Sequence, residues 1–569
     1  MSERPLIRIR VLALVIVLVA GLFVSRLFFL QIIQGDEFSN QADRQFYHPA
    51  GALFNRGSIF FSWKDDTLFG AATVKQGYWV EIQPPLVDNA ESLYQILSTF
   101  IPLDHDDFIF KISDKNNSYE TVANHLPEST ATAITTLKLP GVLVAKERWR
   151  NYSGERLGSH VLGFMAFRGN DYAGRYGLER QYESVLARVQ NGSFVNFFAE
   201  IFLGLKDSLT KDNEQVAGDI ITTIEPKVQT MLESEIALVR EKWQSELVGG
   251  IVMDPKTGAI IALAASPDFN PGGKPESLEV LRNPLVSQVY EMGSIVKPLT
   301  IAAAIDSGVL KPTTTYTDYT GFVTINGRTI RNFDGKGRGI VSMQEVLNQS
   351  LNTGMVFVMQ KMGKEKFRDY MFSYGIKDPT GIDLPDEAVG LAQNLYSSRD
   401  VEYATASFGQ GVAWSPIAIT RALASLGNGG LLVKPHLVKS VRYQTGLTNK
   451  VAPPPEVRVL QPDTSEEITR MLINVVDKAL AGGIYKMPHH SVAAKTGTAQ
   501  INNPETGGYY DDRYLHSFFG YFPAYDPKFI VFLLQVNPIG AEYASVTLTE
   551  PFMNLTKFLI QYYAIAPDR

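Results

Sequence analysis

Gly293-Ser294-Ile295-Val296-Lys297-Pro298 is the stretch from which the rest of this chain is read. Proline lacks an N–H, a loss that costs least in the first helical turn, so Pro298 places a helix start near Gly293 or Ser294. Ser294 and Lys297 are three apart and share a face, which brings a hydroxyl and an amine together. The apolar run Leu299 to Ile305 buries the helix and holds the serine rigidly, at the positive end of the helix dipole. An S-x-x-K alone arises by chance about once in a chain this long, so its neighbours decide what it means.

Two further clusters follow in order, Ser350-Leu351-Asn352 and Lys495-Thr496-Gly497-Thr498. Serine is a weak nucleophile until a base takes its proton. Lys297 serves as that base only when neutral, which requires burial or a nearby positive charge, and Lys495 is the candidate neighbour. Ser350 brings a hydroxyl that donates and accepts, suited to passing a proton to a leaving amine. Asn352 brings an amide that can hold Lys297 or a substrate backbone. The β-prone run around Lys495 predicts a strand in which Gly497 admits the close approach of another backbone. Two hydroxyls and an ammonium there suit a terminal carboxylate. Taken singly the clusters read as a helix cap, a polar turn and a solvated strand end. Together they read as one cleft.

Outward from these clusters, Val248 to Met253 and Ala259 to Ala264 flank Asp254-Pro255-Lys256-Thr257-Gly258 as strand, turn and strand. Ser517 to Phe522 and Phe529 to Val536 repeat the pattern, followed by an amphipathic helix through Phe552, Leu555, Leu559 and Ile560. Before the first pair, Val228, Met231, Leu232, Ile236 and Val239 recur at helical spacing after Pro226. The expected fold class is α+β, with strands from both ends meeting in one antiparallel sheet covered by helices. A mixed region precedes it, with strand-like Tyr78 to Ile82 and no catalytic constellation. Within that region Phe194 to Leu205 is strongly aromatic, readable as a buried element or as a patch that touches membrane or a partner.

The 569 residues call for two or more folded units. Lys and Arg number 53 against 59 Asp and Glu, so nothing in the charge suggests a nucleic-acid binder. There is no cysteine, which excludes disulfides, thiol catalysis and thiolate metal sites. His489-His490 has no further ligands at metal spacing, and Gly335 to Gly339 lacks the Lys-Ser/Thr pair of a P-loop and reads as a flexible turn. No metal and no cofactor are expected. Arg4, Arg8 and Arg10 precede an apolar run, Val11 to Val24, that resumes at Leu27 to Leu30. About 20 apolar residues cross a bilayer, and basic residues ahead of the span keep the N-terminus in the cytoplasm. A retained anchor is the expectation; the rival, a cleaved signal peptide, lacks a small-residue cleavage site.

These motifs resemble the class B penicillin-binding proteins, membrane-anchored D,D-transpeptidases that cross-link peptidoglycan. The likeness extends to Arg26-Leu27-Phe28-Phe29-Leu30-Gln31, Arg56-Gly57-Ser58-Ile59, His160-Val161-Leu162-Gly163, Gly177-Leu178-Glu179, Phe408-Gly409-Gln410-Gly411 and Gly520-Tyr521-Phe522-Pro523-Ala524. Met292 stands where the family usually has proline. The resemblance implies a cytoplasmic tail over 1–10, an anchor over 11–32, a pedestal or dimerisation domain over 33–220 and a transpeptidase domain over 221–569. It implies that Ser294 is acylated, Lys297 is the base, and Ser350 and Asn352 assist. Lys495, Thr496, Gly497 and Thr498 would bind the carboxylate, with the backbone N–H groups of Ser294 and Thr498 as the oxyanion hole. Implied partners are stem peptides (a D-Ala-D-Ala donor and an amine acceptor), β-lactams, a membrane glycan polymerase and a second copy of the chain. The setting is the bacterial inner membrane with the catalytic part outside, in division rather than elongation. A D,D-carboxypeptidase or β-lactamase on the same fold, and a sensor or scaffold without catalysis, are the alternatives.

Overall fold

The computed structural model describes Arg26 and residues 55–168, 171–188, 217–275, 277–451, 457–505 and 507–569. The expected membrane span over residues 11–30 lies, but for Arg26, outside these residues, as does Phe194 to Leu205. Among the described residues no helix is long and apolar enough to cross a membrane.

The larger compact unit comprises 55–74, 150–165 and 174–569. At its centre is a five-stranded antiparallel sheet of β1 (Leu247–Met253), β2 (Ile260–Ser266), β3 (Ala493–Asn503), β4 (Gly508–Phe522) and β5 (Phe529–Val536). Their spatial order is β3-β4-β5-β1-β2, so the two sequence hairpins meet where β5 pairs with β1, Phe532 opposite Ile251. Helix α1 (Pro226–Trp243) starts at a proline, and the Glu225 carboxylate caps it by accepting from Val228 N at 2.7 Å. Its stripe of Val228, Leu232, Ile236 and Val239 packs with Val248, Val252, Phe518, Val531 and Leu533. Phe552, Leu555 and Leu559 of the closing helix Thr549–Tyr562 complete that core. The central sheet with helices on it is the arrangement the strand pairs predict.

The smaller unit comprises, among its described residues, 75–149 and part of 166–173. Helices Ala90–Leu97 and His105–Ser113, capped by the side chains of Asn89 and Asp104, bury Leu93, Leu97, Phe108 and Ile112 against Val80 and Ile82. Tyr78 to Ile82 belongs to the strand Leu68–Ile82 and pairs with Glu120–Leu126.

By compactness the two units interleave along the chain, and a buried ion cluster in the larger unit joins residues far apart in sequence. Glu179 is fully buried and accepts from Arg56 Nε at 2.7 Å and Arg150 Nε at 2.6 Å. Arg56 also reaches Glu183 at 2.7 Å. Burial would raise the Glu179 carboxyl, yet Arg150 and Arg56 hold it below the usual carboxylate range. Removing one member of such a cluster strands the others without water. Glu179→Ala is therefore expected to destabilise the protein by about 3–5 kcal/mol in urea denaturation.

Candidate active site

Ser294 lies in a 3₁₀ turn, Gly293–Val296, that runs directly into α2 (Lys297–Asp306) with Pro298 in its first turn. The 3₁₀ turn begins at Gly293, while the α-helix itself begins at Lys297, three to four residues after the expected start, and its first eight residues are all buried. Buried hydrogen bonds fix it: Thr300 Oγ1 donates to Ser407 O at 2.9 Å, and Tyr374 OH donates to Leu299 O at 3.0 Å. Gly293 takes a φ of +61° and donates its N–H to Gly409 O at 3.1 Å. Met292 enters this turn with ordinary right-handed backbone angles, and its carbonyl accepts from the Ser517 hydroxyl at 2.9 Å.

Ser350 owes its position to the end of the helix Met343–Asn348. Ser350 N bonds to Leu347 O and Leu351 N to Val346 O, the paired bonds of a Schellman ending. The left-handed position in that ending normally holds glycine. Here it holds Ser350, at a φ of +53°, a conformation costing an L-residue about 1–2 kcal/mol. Lys297 Nζ donates to Ser350 O at 2.6 Å and to Ser350 Oγ at 3.1 Å. Lys495 Nζ reaches the same Oγ at 3.2 Å and Thr496 O at 2.9 Å. Two lysines, 0% and 3% exposed, thus converge on one serine hydroxyl.

That convergence sets their protonation. Burial, and secondarily the charge of Lys495, push the Lys297 ammonium well below its ordinary range. Burial pushes Lys495 down to about 8. Each lysine is easier to deprotonate than in water, and Lys297 most of all.

Thr496, Gly497 and Thr498 lie on β3, the edge strand of the sheet. An edge strand leaves backbone groups available to an extended peptide. Gly497 is there for space: a Cβ would sit 2.8 Å from Met292 O and 3.0 Å from Ile295 Cγ2. Thr498 Oγ1 accepts from Ala544 N at 3.1 Å. Asn352 opens α3 (Asn352–Met362), and its amide donates to Arg331 O at 2.9 Å. Among the described residues, the partners of Lys297 Nζ are on Ser350 and not on Asn352. Ser294, Ser350, Asn352, Lys495, Thr496 and Thr498 all line one cleft of about 1350 Å³.

One set of residues escapes a reading of the sequence. Asp318, Asn332 and Thr353 are all buried. The Asp318 carboxylate accepts from Asn332 Nδ2 at 2.8 Å, Thr353 Oγ1 at 2.9 Å and Gly321 N at 2.8 Å. Asn332 Oδ1 in turn accepts from Thr353 N at 3.2 Å. This brace grips the residue next to Asn352 and ties α3 to the strand pair Phe322–Ile325 and Arg328–Arg331. Nothing in the local sequence marks it, because Asp318 and Thr353 are 35 residues apart. In the 335–339 stretch the middle glycine is packed, since a Cβ on Gly337 would meet Tyr319 backbone at 2.3 Å, while Gly335 has nothing within 4 Å of an added Cβ.

Among the described residues no group of three His, Asp or Glu is placed to hold a metal. The family model described as Penicillin binding protein transpeptidase domain matches residues 248–555. The one described as Penicillin-binding Protein dimerisation domain matches residues 56–197. Stage V sporulation protein D of Bacillus subtilis is 29% identical over 544 residues, covering 93% of this chain and 81% of the relative. Peptidoglycan D,D-transpeptidase FtsI of Buchnera aphidicola is 25% identical over 551 residues, covering 95% and 93%. In fold, the chain is similar to penicillin-binding protein 3 of Mycobacterium tuberculosis in complex with aztreonam, with a TM-score of 0.67 and 21% identity over 90% of this chain and 97% of that one.

Proposed function

We propose that this chain, which belongs to the penicillin-binding protein transpeptidase family, is a peptidoglycan D,D-transpeptidase that works through an acyl-enzyme on Ser294. The observation that carries the reading is the meeting of two buried lysines on the Ser350 hydroxyl, in the cleft that Ser294 lines.

The donor is a stem peptide ending in D-Ala-D-Ala. It lies along β3 with its terminal carboxylate at Lys495, Thr496 and Thr498. Neutral Lys297 takes the proton from Ser294 Oγ, which attacks the carbonyl carbon of the penultimate D-alanine. The backbone N–H groups of Ser294 and Thr498 stabilise the oxyanion, an arrangement in which one well-aimed donor is worth about 3–4 kcal/mol. The C–N bond breaks as a proton passes from Lys297 through Ser350 Oγ to the leaving amine, and terminal D-alanine departs. Asn352 holds the donor backbone. An amine of a second stem peptide then attacks the ester, forming the cross-link and returning the proton to Ser294. A β-lactam follows the first half: its ring amide opens on Ser294 and the product stays attached.

The two lysines give this chemistry a pH signature. Acylation requires Lys297 without its proton, so its rate rises with pH through a value well below that of an ordinary lysine. Carboxylate binding requires Lys495 with its proton, so KM for donor rises above about pH 8. Lys495→Met removes a positive charge beside Lys297 and is expected to move the acidic limb to higher pH, read from the pH dependence of penicillin acylation.

In the cell the chain is held by residues 11–32 in the inner membrane, with residues 1–10 in the cytoplasm and the catalytic unit outside. It serves division, beside a membrane glycan polymerase, and pairs with a second copy of itself. The sequence of the N-terminus and the dimerisation-domain match support this placement. The decisive assay incubates the full chain with a stem pentapeptide, with and without an amine acceptor. Transpeptidation gives D-alanine and a cross-linked peptide; conversion mainly to free tetrapeptide would make the protein a carboxypeptidase instead.

A further inference from the structure

The strand pair beside the catalytic loop carries a cation that the mechanism does not use. Arg331 ends the strand Arg328–Arg331, opposite Phe322, and its guanidinium carbon sits 5.2 Å from the centre of the Phe322 ring. Its carbonyl accepts the Asn352 amide at 2.9 Å. The next residue, Asn332, is locked to Asp318 and Thr353 inside the protein. The Arg331 side chain is exposed and lines the cleft, so it projects from a rigid base one hydrogen bond away from a substrate-holding residue. Of the three other arginines that line the cleft, Arg338 pairs with Asp334 at 2.7 Å and Arg399 with Glu402 at 3.4 Å, while Arg328 has neither an ion pair nor a ring beneath it among the described residues. Arg331 has no carboxylate partner among the described residues. The terminal carboxylate of a donor is already met by β3. A guanidinium stacked on an aromatic ring keeps its planar fork free for a second oxyanion, and a carboxylate is the group that fork fits best.

We propose that Arg331 receives a second carboxylate on the donor peptide, one additional to its C-terminal carboxylate, so that the substrate of this site is a polyanionic peptide. This rests on the acyl-enzyme reading above. The aromatic ring beneath the guanidinium and the brace behind its backbone hold it in place before substrate arrives, which limits the ordering cost of binding.

The test compares two D-alanyl thioester donors that are identical except at the end of the N-acyl group, a glutaryl carboxylate in one and its carboxamide in the other. Both are assayed by kcat/KM on the full chain. The wild type should prefer the carboxylate about five- to tenfold, with the preference shrinking as salt is added. Arg331→Gln keeps the backbone bond to Asn352 and should bring the ratio close to one, while Arg331→Lys should retain part of it. Both donors are measured on one preparation, so loss of folded enzyme cancels in the ratio. A wild-type ratio near one, a preference that survives Arg331→Gln, or one abolished equally by Arg328→Gln or Lys478→Gln overturns the assignment. Absence of any penicillin adduct on the wild type would instead remove the acyl-enzyme reading together with this inference. An adduct with a ratio near one removes the inference alone.

Discussion

Lys297→Met should lower the rate of acylation of Ser294 by penicillin by about 10²–10⁴-fold, the range a positioned general base contributes. The same variant should melt at or above the wild-type temperature. The two halves have one cause. Lys297 is 0% exposed, and a buried amine with a depressed pKa binds fewer protons in the folded than in the unfolded chain. Stability then rises with pH through that range, so at neutral pH this lysine opposes folding. Methionine fills nearly the same space without charge, and such replacements are commonly neutral or stabilising. Against this stands the Ser350 carbonyl, which loses its 2.6 Å partner at about 1–3 kcal/mol if no water replaces it. Stopped-flow acylation beside a thermal melt checks both halves. A Lys297→Met variant that melts far below wild type would mean that Lys297 is held as a structural ammonium, not as a base.

Gly409→Ala should lower the rate of acylation of Ser294 by penicillin by about 10²-fold although Gly409 touches no substrate. Gly409 has a φ of +83°, and a Cβ there would stand 2.2 Å from Gly293 O and 2.8 Å from Gly293 N. Both are backbone atoms of the turn that carries Ser294, so they cannot swing aside as a flexible side chain would. Displacing a reacting group by about 1 Å costs about 10²-fold, and this clash requires a shift of that order. A comparator isolates the clash from the conformational penalty. Gly446 has a φ of +85° with nothing within 4 Å of its added Cβ. Gly446→Ala should therefore cost only the left-handed penalty, about 1–2 kcal/mol of stability, and leave the acylation rate near wild type. Equal acylation rates for the two variants would show that Gly409 does not set the position of Ser294.

What the sequence displays and what it hides divide along physical lines. Alternating or continuous apolar runs such as Val248 to Met253 and Phe529 to Val536 are local patterns, and they reappear as β1 and β5 with their boundaries nearly intact. The three clusters are equally legible, because each depends on neighbours a few residues apart. Pro298 marks the first turn of the α-helix Lys297–Asp306, while the 3₁₀ turn that carries Ser294 just before it has no such mark. Contacts made only by folding stay hidden. Gly409 is visible as a family landmark, but not as the residue against which Gly293 packs. Arg56 and Glu179 stand out in the same way, while their buried pairing spans 123 residues. Ser350 reads as an ordinary polar turn residue; its left-handed backbone follows from the end of the preceding helix and the grip of Lys297. The brace of Asp318, Asn332 and Thr353 has no spacing rule at all, since it links a strand end to a helix start.

The central claim is that Ser294 is the acylated nucleophile, and peptide mapping by mass spectrometry after brief exposure of the full chain to benzylpenicillin tests it most directly. The account predicts one penicilloyl group per chain, carried on the peptide that contains Ser294 and persisting after the free drug is removed. An adduct on a different serine, or complete turnover to free penicilloate with the Ser294 peptide unmodified, would contradict it.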